Sequence, residues 1–293
     1  MTVASVDHGR PRSSSGRRAI VRRIGANRLN ALTVAMVGGL VLLAALASLI
    51  APHSPTAAVG LPVEGPSWNH FLGTDQIGRD VFSRVLFGSR TSLYVGLGAT
   101  TIALVVGVPM GLISGFFGKF LDTVLMRIVD GMLAFPPIIL AMAMVAALGP
   151  NLRNTIIAIG VVQVPRFARQ VRAMTSSLRE REFVQASRAI GAGHVHTMMH
   201  SILPNLAPII FVQFSLTFAT AVLTEAALSF LGLGVQPPSP SWGAMLNEGK
   251  TLLSLNPWIG IGAGSAIFVT VLTFTLLGDT LSDILNPFRP GDR

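Results

Sequence analysis

Long apolar runs broken by short polar stretches dominate this chain. Runs of bilayer-spanning length cover residues 31–51, 93–117, about 124–148, 155 to about 171, 206 to about 233, and 258 to about 285. A helix crossing the hydrocarbon core needs about 20 mostly apolar residues. The pattern therefore predicts an all-α polytopic membrane protein with six transmembrane helices. One interruption differs from the rest. Residues 176–205 read SSLREREFVQASRAIGAGHVHTMMHSILPN, too polar to enter a bilayer. Residues 179–190 have helical composition, Gly191 and Gly193 break it, and residues 195–203 form a second short helix that Pro204 ends. Such a helix-turn-helix must present a face to something outside the membrane.

Charge placement sets the topology. The chain has 293 residues, is 12% charged and carries a formal net charge of +9. A soluble domain has about twice that charged fraction. Residues 1–30 hold Arg10, Arg12, Arg17, Arg18, Arg22, Arg23 and Arg28 against Asp7 alone, and read as a disordered basic tail. Lys119, Arg127, Arg166, Arg169, Arg172, Arg179, Arg181, Arg188, Arg289 and Arg293 fall on the same side as that tail. Arg79, Arg84, Arg90, Arg153 and Lys250 fall on the other. Basic residues are retained in the cytoplasm, so both termini and the 176–205 stretch are expected inside, and residues 52–92, 149–154 and 234–256 outside. The same asymmetry accounts for the positive charge without a nucleic-acid partner. The first apolar run is longer than the core of a cleaved signal peptide, and further spans follow it.

Within the spans, Gly107, Gly111 and Gly115 recur every four residues, which places them on one helix face. They predict close approach of another helix of the same chain. Asp130 lies inside an apolar run, and Pro136-Pro137 interrupts the same run. Ionisable groups at depth face protein or water, and a double proline leaves backbone carbonyls needing partners. Two readings remain open for these residues: a kink lining a pathway, or an interhelical hydrogen bond near the interface. Glu225 sits towards the outer end of the fifth run.

Several chemistries fail on spacing. Gly243 to Thr251 (GAMLNEGKT) ends like a phosphate loop, but five residues separate its glycines where four are required. Gly118-Lys119 is followed by Phe120, with no hydroxyl for magnesium. His194, His196 and His200 have no nearby acid or thiol to complete a metal set, and no metal site is expected. The absence of cysteine excludes disulfides and thiolate chemistry, and no nucleophile and base are paired, so no catalytic residue is expected.

Gln185-Ala186-Ser187 precedes Gly191 at the spacing of the Glu-Ala-Ala-x-x-x-Gly loop of ABC importer permeases, flanked by residues 181–184 (REFV) and 202–205 (ILPN). Residues 70–96 (HFLGTDQIGRDVFSRVLFGSRTSLYVG), 121–150 and 224–249, and the end with Leu277-Gly278-Asp279, Asp283 and Pro287, also resemble the dipeptide, oligopeptide and nickel importer permeases, in particular their second permease subunit. The resemblance spans roughly residues 30 to 288. It departs at Gln185, where the family has glutamate, at Ser187, where it has alanine, and at Asn286, where aspartate is common.

What the resemblance implies is a type I ABC importer permease in the bacterial cytoplasmic (inner) membrane, with a coupling helix between spans 4 and 5. It would pair with a homologous permease and dock on two ABC ATPase subunits, or one fused chain, that hold ATP and magnesium. An extracytoplasmic solute-binding protein would deliver substrate, peptides first and nickel chelates or other small solutes as the alternative. Glu182, Gln185, Ala186, Ser187, Gly191 and Ala192 would form the docking and turning element. Asp130, Pro136, Pro137 and Glu225 are the candidates for pathway or gate. A secondary transporter working without ATP is the rival class. Its coupling-ion acids would have to be Asp130, Glu225 and Asp279, which are scattered along the membrane depth.

Overall fold

The structure, a computed structural model, describes residues 28–285. Most of the basic tail, and Asn286, Pro287, Arg289 and Arg293, lie outside the described residues. Nine helices make up most of what is described: α1 (Arg28–Ile50), α2 (Val81–Phe117), α3 (Lys119–Leu133), α4 (Pro137–Leu148), α5 (Leu152–Arg179), α6 (Glu182–Ala189), α7 (His194–Phe230), α8 (Trp242–Thr251) and α9 (Trp258–Leu285). Two isolated β-bridges, Ala58 with Arg79 and Thr74 with Asp80, are the other backbone pairings of note.

Four of these helices, α1, α2, α7 and α9, are long and apolar enough to cross a membrane by themselves. A fifth stretch has the length and hydropathy of a crossing only when two sharply bent helices are taken together. The expected span over 124–148 is interrupted at Pro136-Pro137, as the sequence predicts, and forms α3 and α4 with an angle of 88° between them. Pro136 holds extended backbone (ψ 131°) at the break, and Pro137 starts α4, where a missing N–H costs nothing. The expected span over 155–171 does not pass on hydropathy, because α5 carries Arg166, Arg169 and Arg172 in its length.

α5 nevertheless lies along α2 over most of its course, and glycine makes this possible. A Cβ at Gly107 would stand 2.6 Å from the Phe167 Cβ, and one at Gly111 would stand 2.5 Å from the Ala168 carbonyl oxygen. One at Gly115 would stand 2.6 Å from the Arg172 carbonyl oxygen. Real Cβ atoms do not approach that closely. Gly98 meets Ile156 and Gly160 meets Ile102, so the contacts ascend together in both chains and the two helices run parallel. The glycine face thus packs inside the subunit, as its spacing predicts.

Four boundaries differ from those the sequence suggests. α1 begins at Arg28, so residues 28–30 are helical, and α2 begins at Val81, well before the apolar run. Asp80 caps α2, its carboxylate accepting the Ser83 N–H at 2.8 Å. Arg179 ends α5 and does not start the island helix. Pro204 does not end a helix either: α7 runs through it to Phe230, with a π-helical turn at Thr197–Ile202 just before it. The wider turn accommodates the ring, which would clash with the carbonyl one α-turn back, and Asn205 Nδ2 donates to the Ser201 carbonyl at 2.7 Å. The polar segment 234–256 contains α8, which buries Trp242, Gly243, Met245 and Gly249 on one face.

Three apolar clusters hold the helices together. One joins α2, α7, α8 and α9 around Val81, Phe218, Val222 and Trp242. Another joins α2, α4, α5 and α7 around Val95, Ala158 and Ile159. The third lies under the polar island, where Phe116, Phe167, Val184, Met198, Ile202 and Leu206 meet. By contrast α1 buries only Asn30, Thr33, Ala44 and Ala47, and leaves all its leucines but Leu40 exposed. A helix this apolar and this bare is built for contact with lipid or another membrane helix.

Candidate functional site

The polar island forms a short platform. α5 ends at Arg179, whose guanidinium donates from Nη1 to the Phe116 carbonyl at 3.1 Å. Arg181 then turns the chain, and α6 follows with Glu182 in its first turn and Arg188 in its last. Those charges complement the helix dipole at both ends. Of the eight residues of α6, only Val184 is buried, and it plugs into the third apolar cluster. Arg188 lies over the Phe116 ring, 4.7 Å from its centre, and His194 meets the same ring edge-on at 5.7 Å. The platform is therefore fixed to the end of α2 from below.

Its other face is bare. Glu182, Gln185, Ala186 and Gly191 are exposed, while Ser187 and Ala192 are half-buried. The Ser187 Oγ lies 3.5 Å from that of Ser201 on α7. Phe183 and Ile190 are also exposed, Ile190 at 85%. Gly191 has φ +84°, and a Cβ there would meet nothing within 4 Å. Its glycine serves the left-handed turn alone. Gln185 has a local partner that a glutamate would not have: its Nε2 donates to the Glu180 carbonyl at 3.1 Å, satisfying an end group of α5.

The other expected residues are dispersed. Asp130 on α3 pairs with Arg169 on α5 at 2.6 Å, with both side chains more than half exposed. Beside them Asp122 takes both Arg172 Nε and Nη2, the latter at 2.6 Å, and the Ser114 hydroxyl. The arginines that lower the hydropathy of α5 thus face the acids of α3. Pro136 and Pro137 are exposed at the 88° bend. Glu225 is fully buried within the chain, where its Oε1 accepts from Ser229 at 2.6 Å and from Ser241 at 3.0 Å. It ties α7 to the start of α8.

A second polar centre escaped the sequence reading. Asp75, Arg79, Arg84 and Glu248 form a buried ion cluster between the segment before α2 and α8. Arg79 Nε lies 2.6 Å from Asp75 Oδ2, and Arg84 Nη1 also binds that oxygen. Arg84 spans both Glu248 oxygens, at 2.7 and 3.2 Å. Burial alone would raise the Asp75 carboxyl. The backbone N–H of Arg79, the charge of Arg84, the Ile77 N–H and the Arg79 side chain outweigh it, and the group titrates below the 3.8 of a free carboxyl. Asn256 Nδ2 reaches the carbonyls of Glu64 at 3.1 Å and Thr74 at 3.2 Å, and Trp242 Nε1 donates to the Val85 carbonyl at 2.9 Å. The signal available was the spacing of Trp242, Met245 and Gly249, which is helical in a stretch otherwise read as loop.

Helices long and apolar enough to cross a membrane, with a bare polar platform at their ends, describe a membrane subunit that offers a face to a partner. Comparison with known proteins is specific. Residues 107–289 match the family described as binding-protein-dependent transport system inner membrane component. The chain is 44% identical over 272 residues to a dipeptide transport system permease protein, DppC, of Alkalihalophilus pseudofirmus, covering 92% of this chain and 89% of the relative. It is 43% identical over 224 residues to a glutathione transport system permease protein, GsiD, of Pectobacterium atrosepticum, covering 76% and 74%. A solved structure of the MetNI methionine ABC transporter in inward-facing conformations superposes with TM-score 0.58 at 20% identity, over 69% of this chain and 96% of that one. This protein belongs to the binding-protein-dependent transport family and is a permease subunit of an ABC importer.

Proposed function

We propose that this permease forms half of the pathway of an ATP-driven peptide importer in the bacterial inner membrane. α6 is its coupling helix. The observation that carries the coupling role is the one-sided burial of α6: Val184 anchors it while Glu182, Gln185 and Ala186 face outwards. A short helix fastened to the ends of three long ones, with a small residue at its exposed centre, suits insertion into a groove of another protein. Ala186 allows close approach, and Gly191 with Ala192 turns the chain towards α7. The partners in this reading are a homologous permease, two ABC ATPase subunits that bind ATP and magnesium, and a solute-binding protein on the outer side. Peptide as cargo is supported by the two relatives, named for dipeptide and glutathione transport.

The topology in this reading has six crossings and both termini in the cytoplasm. Four crossings have the hydropathy of a single helix, and in this reading the bent pair α3 and α4 makes a fifth. The sixth is α5, which runs parallel to α2 against its glycine face and so traverses the same slab. Asp130 and the Pro136-Pro137 bend are exposed and belong to the pathway side. Glu225 supports a gate from behind, through Ser229 and Ser241. Motion between states requires contacts that differ between them, and the exposed Asp130–Arg169 pair is placed to change.

The reading is tested with Ala186→Trp in the reconstituted transporter. Dipeptide uptake is expected to fall at least tenfold, with the variant still folded and still joined to the partner permease. Normal uptake and normal stimulation of ATP hydrolysis in that variant would defeat the assignment of α6.

A further inference from the structure

A cluster in the segment between α1 and α2 is used neither by the docking platform nor by the ion cluster. His53 lies just beyond the end of α1, His70 in the middle of the segment, and Asp80 at the cap of α2. One ligand atom from each lies within 4.8 Å of the others. His70 Nδ1 is 3.0 Å from Asp80 Oδ1, and His53 Nδ1 is 4.0 Å from Asp80 Oδ2. The Asp80 side chain is fully buried and that of His70 nearly so.

Helix capping explains Asp80 but leaves two features over. His53 Nδ1 is buried without a hydrogen-bond partner, although the backbone N–H of the same residue is held by Ser83 Oγ at 3.2 Å. A buried polar nitrogen aimed at a carboxylate beyond bonding reach is a costly arrangement unless something sits between them. In addition, the outer nitrogen of His70, Nε2, faces Glu64 Oε2 at 3.9 Å. An imidazole that ligates a metal through one nitrogen typically points the other at a carboxylate or carbonyl, which fixes its tautomer and orientation.

We propose that His53, His70 and Asp80 bind a divalent first-row transition metal ion, with Glu64 orienting His70. Two imidazole nitrogens and a carboxylate oxygen are the donor set of zinc, and bonds of about 2.0–2.1 Å to a tetrahedral ion put donors about 3.3 Å apart. His70 Nδ1 is 3.0 Å from Asp80 Oδ1 and His53 Nδ1 is 4.0 Å from Oδ2, and one donor atom from each residue lies within 4.8 Å of the others, so a small closure reaches that spacing. Asp80 Oδ2 also accepts the Ser83 N–H, which holds the carboxylate in place. Three protein donors leave a fourth position open to water or to a donor from outside. The ion would lock the end of α1 to the start of α2 across the segment that joins them. This inference is independent of the cargo and of the coupling role of α6. It also departs from the expectation of no metal site, because donors this far apart in sequence carry no ligand spacing.

The full-length chain, purified without a histidine tag, placed in lipid nanodiscs and stripped with a chelator, is titrated with zinc chloride and its metal content counted. One zinc per chain is expected. Affinity should fall about 100-fold or more in His53→Ala and about tenfold in Glu64→Gln. The double variant His196→Ala/His200→Ala removes the exposed stacked pair on α7, whose rings lie 4.3 Å apart, and should bind unchanged. Cobalt in the same site should give tetrahedral absorption bands that Glu64→Gln weakens and His53→Ala abolishes. His53 is partly exposed and its variant should keep the helical content. Glu64→Gln carries the test if it does not. Failure of the unaltered chain to hold zinc, equal affinity in His53→Ala and Glu64→Gln, or loss of binding in the α7 double variant would each overturn the proposal.

Discussion

Residues 51–80 and 180–193 are both polar connections between long helices, and they are built in opposite ways. The first holds its charges inside, although Leu61, Trp68 and Ile77 stand exposed and His53 Nδ1 has no hydrogen-bond partner. Asp75, Asp80, Arg79 and Arg84 are buried, and the charges find partners within the chain. Gly73, at φ +74°, lets the backbone pass against Glu64 and Asn256 where a side chain would collide. The second is unfinished. α6 buries a single residue, leaves Phe183 and Ile190 in the open, and turns at Gly191 with nothing around it. A polar segment satisfied internally holds its own shape. The second turns its charges outwards, which supports the docking role proposed for α6. The contrast lies in where the charges go, since both segments leave apolar side chains exposed.

The sharpest way to break the contrast is Arg84→Met. It leaves Asp75 and Glu248 short of a buried partner, and removal of one member of a buried ion cluster costs about 3–5 kcal/mol. A large drop in melting temperature in nanodiscs is expected, against almost none for Ile190→Ser on the platform. Acid gives a smaller effect with a defined sign. The carboxyl of Asp75 titrates below its ordinary value in the folded chain, so its contribution is fully present above about pH 4 and is lost as pH falls through the folded value. Stability should be flat from neutral pH to about 5 with respect to this group and fall below that. Asp75→Asn should remove that part of the acid dependence. The mildest test lies on the platform: Gln185→Ala removes the bond to the Glu180 carbonyl and should cost about 0.5–1.5 kcal/mol at most. A larger loss would mean the loop is held by more than Val184 and the arginines.

The sequence conveyed the helices through their hydropathy, and the glycine face of α2 through its four-residue spacing. Both are local patterns. It failed where distance along the chain hid the cause. The run over 155–171 reads as a span, but nothing local shows that Arg172 and Arg169 of α5 face Asp122 and Asp130 of α3. Pro204 reads as a stop because proline forbids an α-turn, yet a π-turn lets α7 continue through it. α8 reads as loop because prolines flank it, and its helical face is apparent only against α7 and α9. The platform residues Glu182, Gln185 and Ala186 were placed by motif, and their exposure could not be read from periodicity over so few residues. The ion cluster joins Asp75 to Glu248 across most of the chain, and no local signal marks such a pairing.

α2 alone has one end in each of the two contrasted regions. Its first turns carry Arg84 into the ion cluster, and its last turn presents Phe116 to Arg179, Arg188 and His194. At 1.5 Å per residue, its 37 residues make a rod of about 55 Å. α5 is lashed along the inner half of the rod, where Pro109 also lies, and tilting the rod by about 5° would carry the far end some 5 Å sideways. If the platform docks as proposed, a push on it would arrive at the cap as a displacement of the same piece of backbone, with both regions bolted to one lever.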